Sequence, residues 1–216
     1  MTLLSQLRKD TPSASDQALA RHEAFIAQFL ERLDSGSDSG AGSRHVTLLA
    51  RSPHSPVAGA LLSQAEGLRA RDMALRLIFA QLGEGSAVAD FAEFLTEVTG
   101  AADARDHIRW ARNKSLWDAH EQITLGRAMC WSGDCMRREP GKRNSLDLFE
   151  ADAPQTVRLG LLAFDAIWAI ADPLPLSAAS RDCGVKPSAA YAPAHEESLS
   201  ALSFLNKGEG RGTLAH

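Results

Sequence analysis

The chain has 216 residues, 44% hydrophobic and 23% charged, a composition typical of a folded globular protein rather than a disordered one. Its formal net charge of -4 gives no overall basicity that would favour nucleic-acid binding. Residues 1–10 lack the apolar core of a signal peptide, and the most apolar stretch, 159–171, is shorter than the roughly 20 residues that a membrane span needs. Because the three cysteines form no paired framework, we expect a cytoplasmic protein without a membrane span.

The first predicted element is an amphipathic helix over 15–33. Its apolar stripe consists of Leu19, His22, Ile26, Phe29, Leu30 and Leu33. The Gly- and Ser-rich stretch 34–43 that follows is typical of a flexible linker. We therefore expect residues 1–43 to form a tethered helix, packed either on the main domain or on another subunit.

A strand–helix–strand pattern opens the main domain, which we place at 44–172. A β-rich run at 45–50 precedes Ser55-Pro56, an N-cap with a proline in the first helical turn. The helix extends to Leu68 and leads into a second apolar strand at 74–80. Such a unit implies parallel strands, and a helix over 86–98 followed by a strand at 107–111 extends the same sheet.

The second part of the domain predicts a hairpin and a closing helix. Short strands at 122–125 and 128–132 are separated only by Gly126-Arg127, a two-residue turn. A strand at 146–149 and a helix over 156–170 follow, and Asp172-Pro173 ends that helix. The composition of residues 173–216, rich in Pro, Ser and Ala, predicts a mostly irregular tail with one short helix at 197–205. The fold class is therefore α/β.

Polar residues concentrate at the open end of the hairpin. His120 and Gln122 enter the first strand, and Asp134 follows the second. Because the outer ends of a hairpin meet, we expect His120 and Asp134 to share one local site. A solvated surface histidine is the alternative interpretation of His120.

The stretch His120-Glu-Gln122, the hairpin and Gly133-Asp134 resemble the HKD motif of the phospholipase D superfamily, H-x-K-x4-D-x6-G-S. The segments HVTLLARSPHSPVAGALLSQAEGLRARD, MALRLIFA, DHIRWARN and LDLFEADAPQTVRLGLLAFDAIW are similar to the flanking strands and helices of one half-domain of that family. The resemblance covers about 44–172. It implies a mixed sheet flanked by helices, a histidine that attacks phosphorus, and a lysine and polar residues that hold phosphate oxygens.

The motif departs from the family pattern at three positions, and the hairpin is one residue shorter. Gln122 stands at the lysine position, Arg127 at the aspartate position and Asp134 at the serine position. A neutral amide cannot supply the charge that a phosphoryl transition state requires. We therefore predict a degenerate catalytic set (His120, Gln122, Asp134) in a non-catalytic phosphate-binding or assembly module. Two alternatives stay open: a phosphodiesterase that uses His120 in an atypical site, and an unrelated α/β oligomerisation domain.

Basic residues around the hairpin could supply the missing charge. Residues 101–145 hold nine basic and six acidic side chains. Four of the basic ones are candidate phosphate contacts: Arg137, Arg138, Lys142 and Arg143. Solvated surface charges are the alternative. We predict a phosphate or phosphodiester ligand.

Other partners are less well supported by the sequence. Trp110, Trp117 and Trp131 lie among these arginines, which is compatible with single-stranded nucleic acid or with a plain core role. His120, Cys130 and Cys135 lack the paired spacing of a zinc site, so we expect no metal or cofactor. We predict a homodimer for two reasons. Half-domains of the family that this chain resembles pair to form one composite site, and the apolar stripe of the first helix needs a partner.

Overall fold

In the residues that the computed structural model describes, 13–37, 40, 42–83, 86–138 and 145–175, the chain forms five α-helices and seven strands. The helices are α1 (Ala14–Asp34), α2 (Pro56–Ser63), α3 (Ala65–Arg69), α4 (Ala87–Thr99) and α5 (Pro154–Ile170). The strands are β1 (His45–Ala50), β2 (Ala74–Phe79), β3 (Ile108–Trp110), β4 (His120–Leu125), β5 (Met129–Cys135), β6 (Asp147–Glu150) and β7 (Asp172–Pro173). The predicted tail helix at 197–205 lies outside the described residues.

All seven strands belong to one mixed sheet with the order β6-β5-β4-β1-β2-β3-β7. The helical crossovers make β1, β2 and β3 parallel, while β4, β5, β6 and β7 are each antiparallel to their neighbours. The α/β class, with a mixed sheet flanked by helices, is confirmed.

One side of the sheet, here called the core face, is covered by α1, α2, α3 and α4. Val46, Leu48 and Ala50 of β1 project to this side and join buried residues of those helices in one hydrophobic cluster. A Ser13–Asp16 capping box begins α1. The predicted stripe of α1 packs here, with His22, Ile26, Phe29 and Leu30 buried and Leu19 and Leu33 half-buried. It packs on its own chain and needs no second subunit, so the stripe does not support a homodimer.

The opposite side, here called the α5 face, is covered by α5. Strand residues alternate between the two faces, so Leu49 and Ile78 project to this side and pack with Phe164 and Ile167 of α5. A polar row runs beside them. The Thr47 and Thr124 hydroxyls lie 2.6 Å apart in a hydrogen bond, and both residues are buried.

The structure differs from the sequence prediction at several boundaries. The helix after Pro56 breaks at Gln64 into α2 and α3. The hairpin turn has three residues rather than two, because Leu125 pairs with Met129. Gly126 takes a left-handed φ of 59° and donates its N–H to the His45 carbonyl, which fixes that turn. No helix in the described ranges is long and apolar enough to cross a membrane.

Candidate functional site

His120 lies at the open end of the hairpin, beside the carboxyl end of β1. It is the first residue of β4 and is exposed. Its strand partner is Cys135, and a register shift between His120 and Gln122 marks a β-bulge. The bulge places an exposed histidine next to a regular, buried strand.

A single hydrogen bond orients the His120 ring. Its Nδ1 lies 2.8 Å from the Gly133 carbonyl oxygen. Because a carbonyl oxygen only accepts hydrogen bonds, Nδ1 carries a proton in this contact, and in the neutral ring Nε2 then presents its lone pair. That is the tautomer that a nucleophile or general base requires.

Gln122, at the motif's lysine position, has a structural contact. Its side-chain Nε2 donates to the Gly160 carbonyl oxygen of α5 at 2.9 Å, and the residue is only 9% exposed. A Cβ at position 160 would lie 3.1 Å from the Gln122 Oε1, so any side chain here would require the amide to move by a few tenths of an ångström. The amide therefore holds α5 to the sheet.

Gly133 and Asp134 also have local structural roles. A Cβ on Gly133 would lie 2.6 Å from the Trp131 indole, so the packing of that ring requires glycine. The Asp134 carboxylate accepts hydrogen bonds from the Arg138 guanidinium at 3.1 Å and from the Leu146 N–H at 3.0 Å. These bonds join the end of β5 to Arg138, in the segment that follows it, and to Leu146, directly before β6. His120 and Asp134 lie on paired strands, within one residue of each other in the register.

The basic residues fall into three groups. Arg137 forms an ion pair with Asp118 at 2.8 Å and donates to the Lys114 carbonyl, while Arg138 forms its ion pair with Asp134. Arg127, at the motif's aspartate position, lies in the hairpin turn, at the opposite end of β4 from His120. Lys142 and Arg143 lie outside the described residues.

A half-buried ion pair next to His120 is the feature that the sequence analysis missed. Arg51 and Glu121 meet at 3.4 Å with side chains 13% and 12% exposed. The Glu121 Oε1 also accepts from the Arg51 N–H at 2.8 Å and from the Ser55 hydroxyl at 3.1 Å. The Arg51 guanidinium in turn donates to the carbonyls of Met136 and Cys135. The available signal was the position of Arg51, directly after a buried parallel strand.

This ion pair holds the backbone around His120. Arg51 fixes the two carbonyls that follow Asp134, and Glu121 is the direct neighbour of His120 in β4. The guanidinium is surrounded by a carboxylate and two carbonyl oxygens, which leaves it engaged within the protein. It therefore positions the site instead of offering a free cation.

The tryptophans belong to the packed parts of the fold. Trp131 is buried in the core face, and its Nε1 donates to Asp147. The indole N–H groups of Trp110 and Trp117 donate to the carbonyls of Ala80 and Ala111. These three rings pack against the sheet and its loops, which fits the core interpretation of the tryptophans better than a stacking platform.

The cysteines give no metal centre in the described part of the chain, where no group of three or more His, Cys, Asp and Glu side chains converges. Burial raises the pKa of the Cys130 thiol, which favours the protonated form that does not bind metals.

Two cavities lie away from His120. One of about 480 Å³ lies between the end of α1 and Arg44, and one of about 380 Å³ lies between His54 and the start of α4. Neither is lined by His120, which stands on the outer surface of its own chain.

Comparison with solved structures shows a weak likeness to a protein of known fold. No protein-family profile and no curated protein matches the chain. The solved structure is that of Nuc, a phospholipase D family member from Salmonella typhimurium. It shares 12% identity and a TM-score of 0.43 with this chain, over 69% of this chain and 90% of that one. A likeness at this level carries no argument about activity.

Proposed function

We propose that this chain is a phospholipase D-like half-domain that has lost phosphodiester cleavage and acts as a non-catalytic phosphate-binding or assembly module. The observation that carries the proposal is the Gln122 side chain, whose amide is bonded to Gly160 beneath α5. In the phospholipase D superfamily, which this chain resembles, a lysine at this position holds phosphate oxygens. Here the position supplies neither a positive charge nor a side chain directed at His120.

The groups near His120 support the same conclusion. Arg51 is engaged with Glu121 and two carbonyls, and Asp134 adds a negative charge one residue beyond Gly133. Loss of one positioned electrostatic donor can lower a rate by about 100-fold or more. If His120 attacked phosphorus, no available positive charge among these groups would stabilise the transferred phosphoryl group.

Weak phosphate binding remains part of the proposal. Arg137 is 54% exposed and Asp118 is 69% exposed, and an ion pair in that setting is worth at most about 1 kcal/mol. A phosphate group could therefore displace Asp118 at small cost. We assign the phosphate contact to Arg137 and Arg138, together with Lys142 and Arg143, which follow them closely in the sequence.

A second candidate function rests on the His120 ring. With Nδ1 donating to Gly133, Nε2 of the neutral ring has a lone pair that can attack phosphorus, so a phosphodiesterase that takes its positive charge from these basic residues is chemically coherent. This alternative requires Arg138 to leave Asp134.

Hydrolysis of bis(p-nitrophenyl) phosphate separates the two functions. The wild type should give no turnover above background, and Gln122→Lys should not create any, because the new ammonium group would lie beneath α5. His120→Ala and Arg138→Ala are the matched controls. Robust turnover that disappears in His120→Ala would overturn the non-catalytic proposal.

A phosphate titration followed by amide chemical shifts tests the binding step. The amides of residues 134–146 should shift first, and Arg137→Ala should weaken the response. Shifts elsewhere, or none, would mean that these arginines are ordinary surface charges.

A further inference from the structure

Helix α5 is apolar on both sides. Its inner side packs on the sheet through Val157, Gly160, Phe164 and Ile167. On its outer side, Leu159, Leu162 and Ile170 are 66%, 59% and 66% exposed. Ala163, Ala166 and Ala169 are exposed between them. These six residues follow one another at intervals of one or three and form a single line along the helix, here called the outer stripe.

The outer stripe concentrates the exposed apolar surface of the molecule. Among the described residues, five large hydrophobic side chains are exposed, and three of them belong to this stripe. Single exposed leucines are common on protein surfaces, whereas an aligned set on one helix marks an interaction surface.

We infer that the outer stripe binds the outer stripe of a second copy of this chain, with the two α5 helices antiparallel across a two-fold axis. The stripe is suited to pair with itself. An axis near its middle places Leu159 opposite Ile170 of the second copy and Ala163 opposite its Ala166. Small residues at the centre allow the helices to approach closely, and large residues close both ends.

Charge complementarity selects the antiparallel direction. Arg158 precedes the stripe and Asp172 follows it, both are exposed, and neither has an ionic partner within the described residues. The antiparallel pairing brings Arg158 of each copy to Asp172 of the other, twice by symmetry. A parallel pairing would instead bring like charges together, which is unfavourable.

This self-matching of shape and charge is why we assign the surface to a second copy and not to residues 176–216 of the same chain. The inference goes beyond the proposed function and does not depend on it, since neither His120 nor the 134–146 segment enters the argument. A single helix pair buries less than the roughly 800 Å² per partner of a standard interface, so we expect micromolar dissociation.

Sedimentation equilibrium of the full-length chain over a micromolar concentration series tests the inference. We expect the apparent mass of the wild type to rise toward twice the chain mass as the concentration increases. The double variant Leu159→Glu, Leu162→Glu should keep the single-chain mass throughout. Both positions are exposed, so circular dichroism should show an intact fold. Leu146→Glu is the matched control, because Leu146 is an exposed leucine outside α5, and it should stay dimeric.

A charge swap tests the direction of pairing. Arg158→Asp and Asp172→Arg should each raise the dimer dissociation constant by about 5-fold, and the two together should restore it. A wild type that is monomeric throughout the series, including one whose stripe is covered by residues 176–216, would overturn the inference. So would a dimer that survives the double glutamate variant, or a charge swap that restores nothing. These experiments measure association and not turnover. Their outcome is therefore independent of the phosphodiesterase assay that tests the proposed function.

Discussion

The two faces of the sheet are stabilised in different ways. On the core face, aliphatic and aromatic side chains from four helices form one large cluster. On the α5 face, a smaller apolar cluster lies beside a row of hydrogen-bonded polar groups that includes Thr47, Thr124 and Gln122. Burial on the core face tolerates exchange of one apolar residue for another, whereas the polar row requires particular partners. The residue at the motif's lysine position belongs to the second kind of packing.

The largest effect should come from a polar group on the core face. His22 is 4% exposed and packs edge-on against the Trp131 ring, and desolvation lowers its pKa from 6.5 to about 4. In the unfolded chain His22 becomes protonated as the pH falls below 6.5. In the folded chain it stays neutral until the pH falls to about 4. The contribution of neutral His22 to the free energy of unfolding is therefore fully present above pH 6.5. It is lost as the pH falls toward 4, by about 3 kcal/mol in all.

Urea unfolding of the wild type and His22→Leu at pH 7.5 and pH 4.5 measures this contribution. Carboxylates titrate in both proteins, so the difference between the two pH profiles isolates His22. The leucine variant should lose less stability in acid. Parallel profiles would mean that His22 is solvated when the protein is folded.

The next effect concerns the contact between α5 and the polar row. In Gly160→Ala, the new methyl group would lie 3.1 Å from Gln122 Oε1 and 3.3 Å from the Thr124 methyl group. Gly59→Ala in α2 is the matched control, because its methyl group would meet only Leu19, at 3.4 Å. We expect Gly59→Ala to gain up to about 1 kcal/mol from helix propensity and Gly160→Ala to be about 1–2 kcal/mol less stable than that control. Equal urea midpoints for the two variants would contradict the close approach.

The smallest effect concerns the amide itself. Gln122→Met keeps the side-chain length but removes the hydrogen bond to the Gly160 carbonyl, which should lower the free energy of unfolding by about 1 kcal/mol. Gln28→Met, at an exposed position of α1, should change it by much less. Thermal unfolding of both variants would show whether the polar row contributes to stability, and a Gln122→Met variant as stable as wild type would indicate that it does not.

Elements with strong local signals were predictable from the sequence. Gly100 ends α4 with a left-handed φ of 66°, and Pro56 begins α2, as the residue types indicate. The break at Gln64 was not predictable, because the apolar stripe continues from Leu61 to Leu68 across it. The strand β7 has only two residues, one of them proline, and carries no periodicity that could reveal it.

The candidate site was predictable only in its position. The hairpin pattern places His120 near Asp134, but the partners of the side chains come from distant parts of the chain. Gln122 bonds a residue 38 positions away, and Glu121 accepts from one 70 positions away. No local pattern encodes such contacts. The sequence places Gln122 in the predicted catalytic set, and only the folded chain shows that its side chain bonds Gly160 beneath α5.

The short strand β7 has a consequence for how the sheet ends. At this edge, Pro173 stands opposite Arg109, and a proline has no N–H to offer a further strand. The other edge is β6, four residues long, with Asp147 and Glu150 at its ends. Neither border is a good template for an incoming strand from a neighbouring molecule. The sheet is thus protected against open-ended growth into fibres, although three large aliphatic side chains of this protein face solvent on one helix.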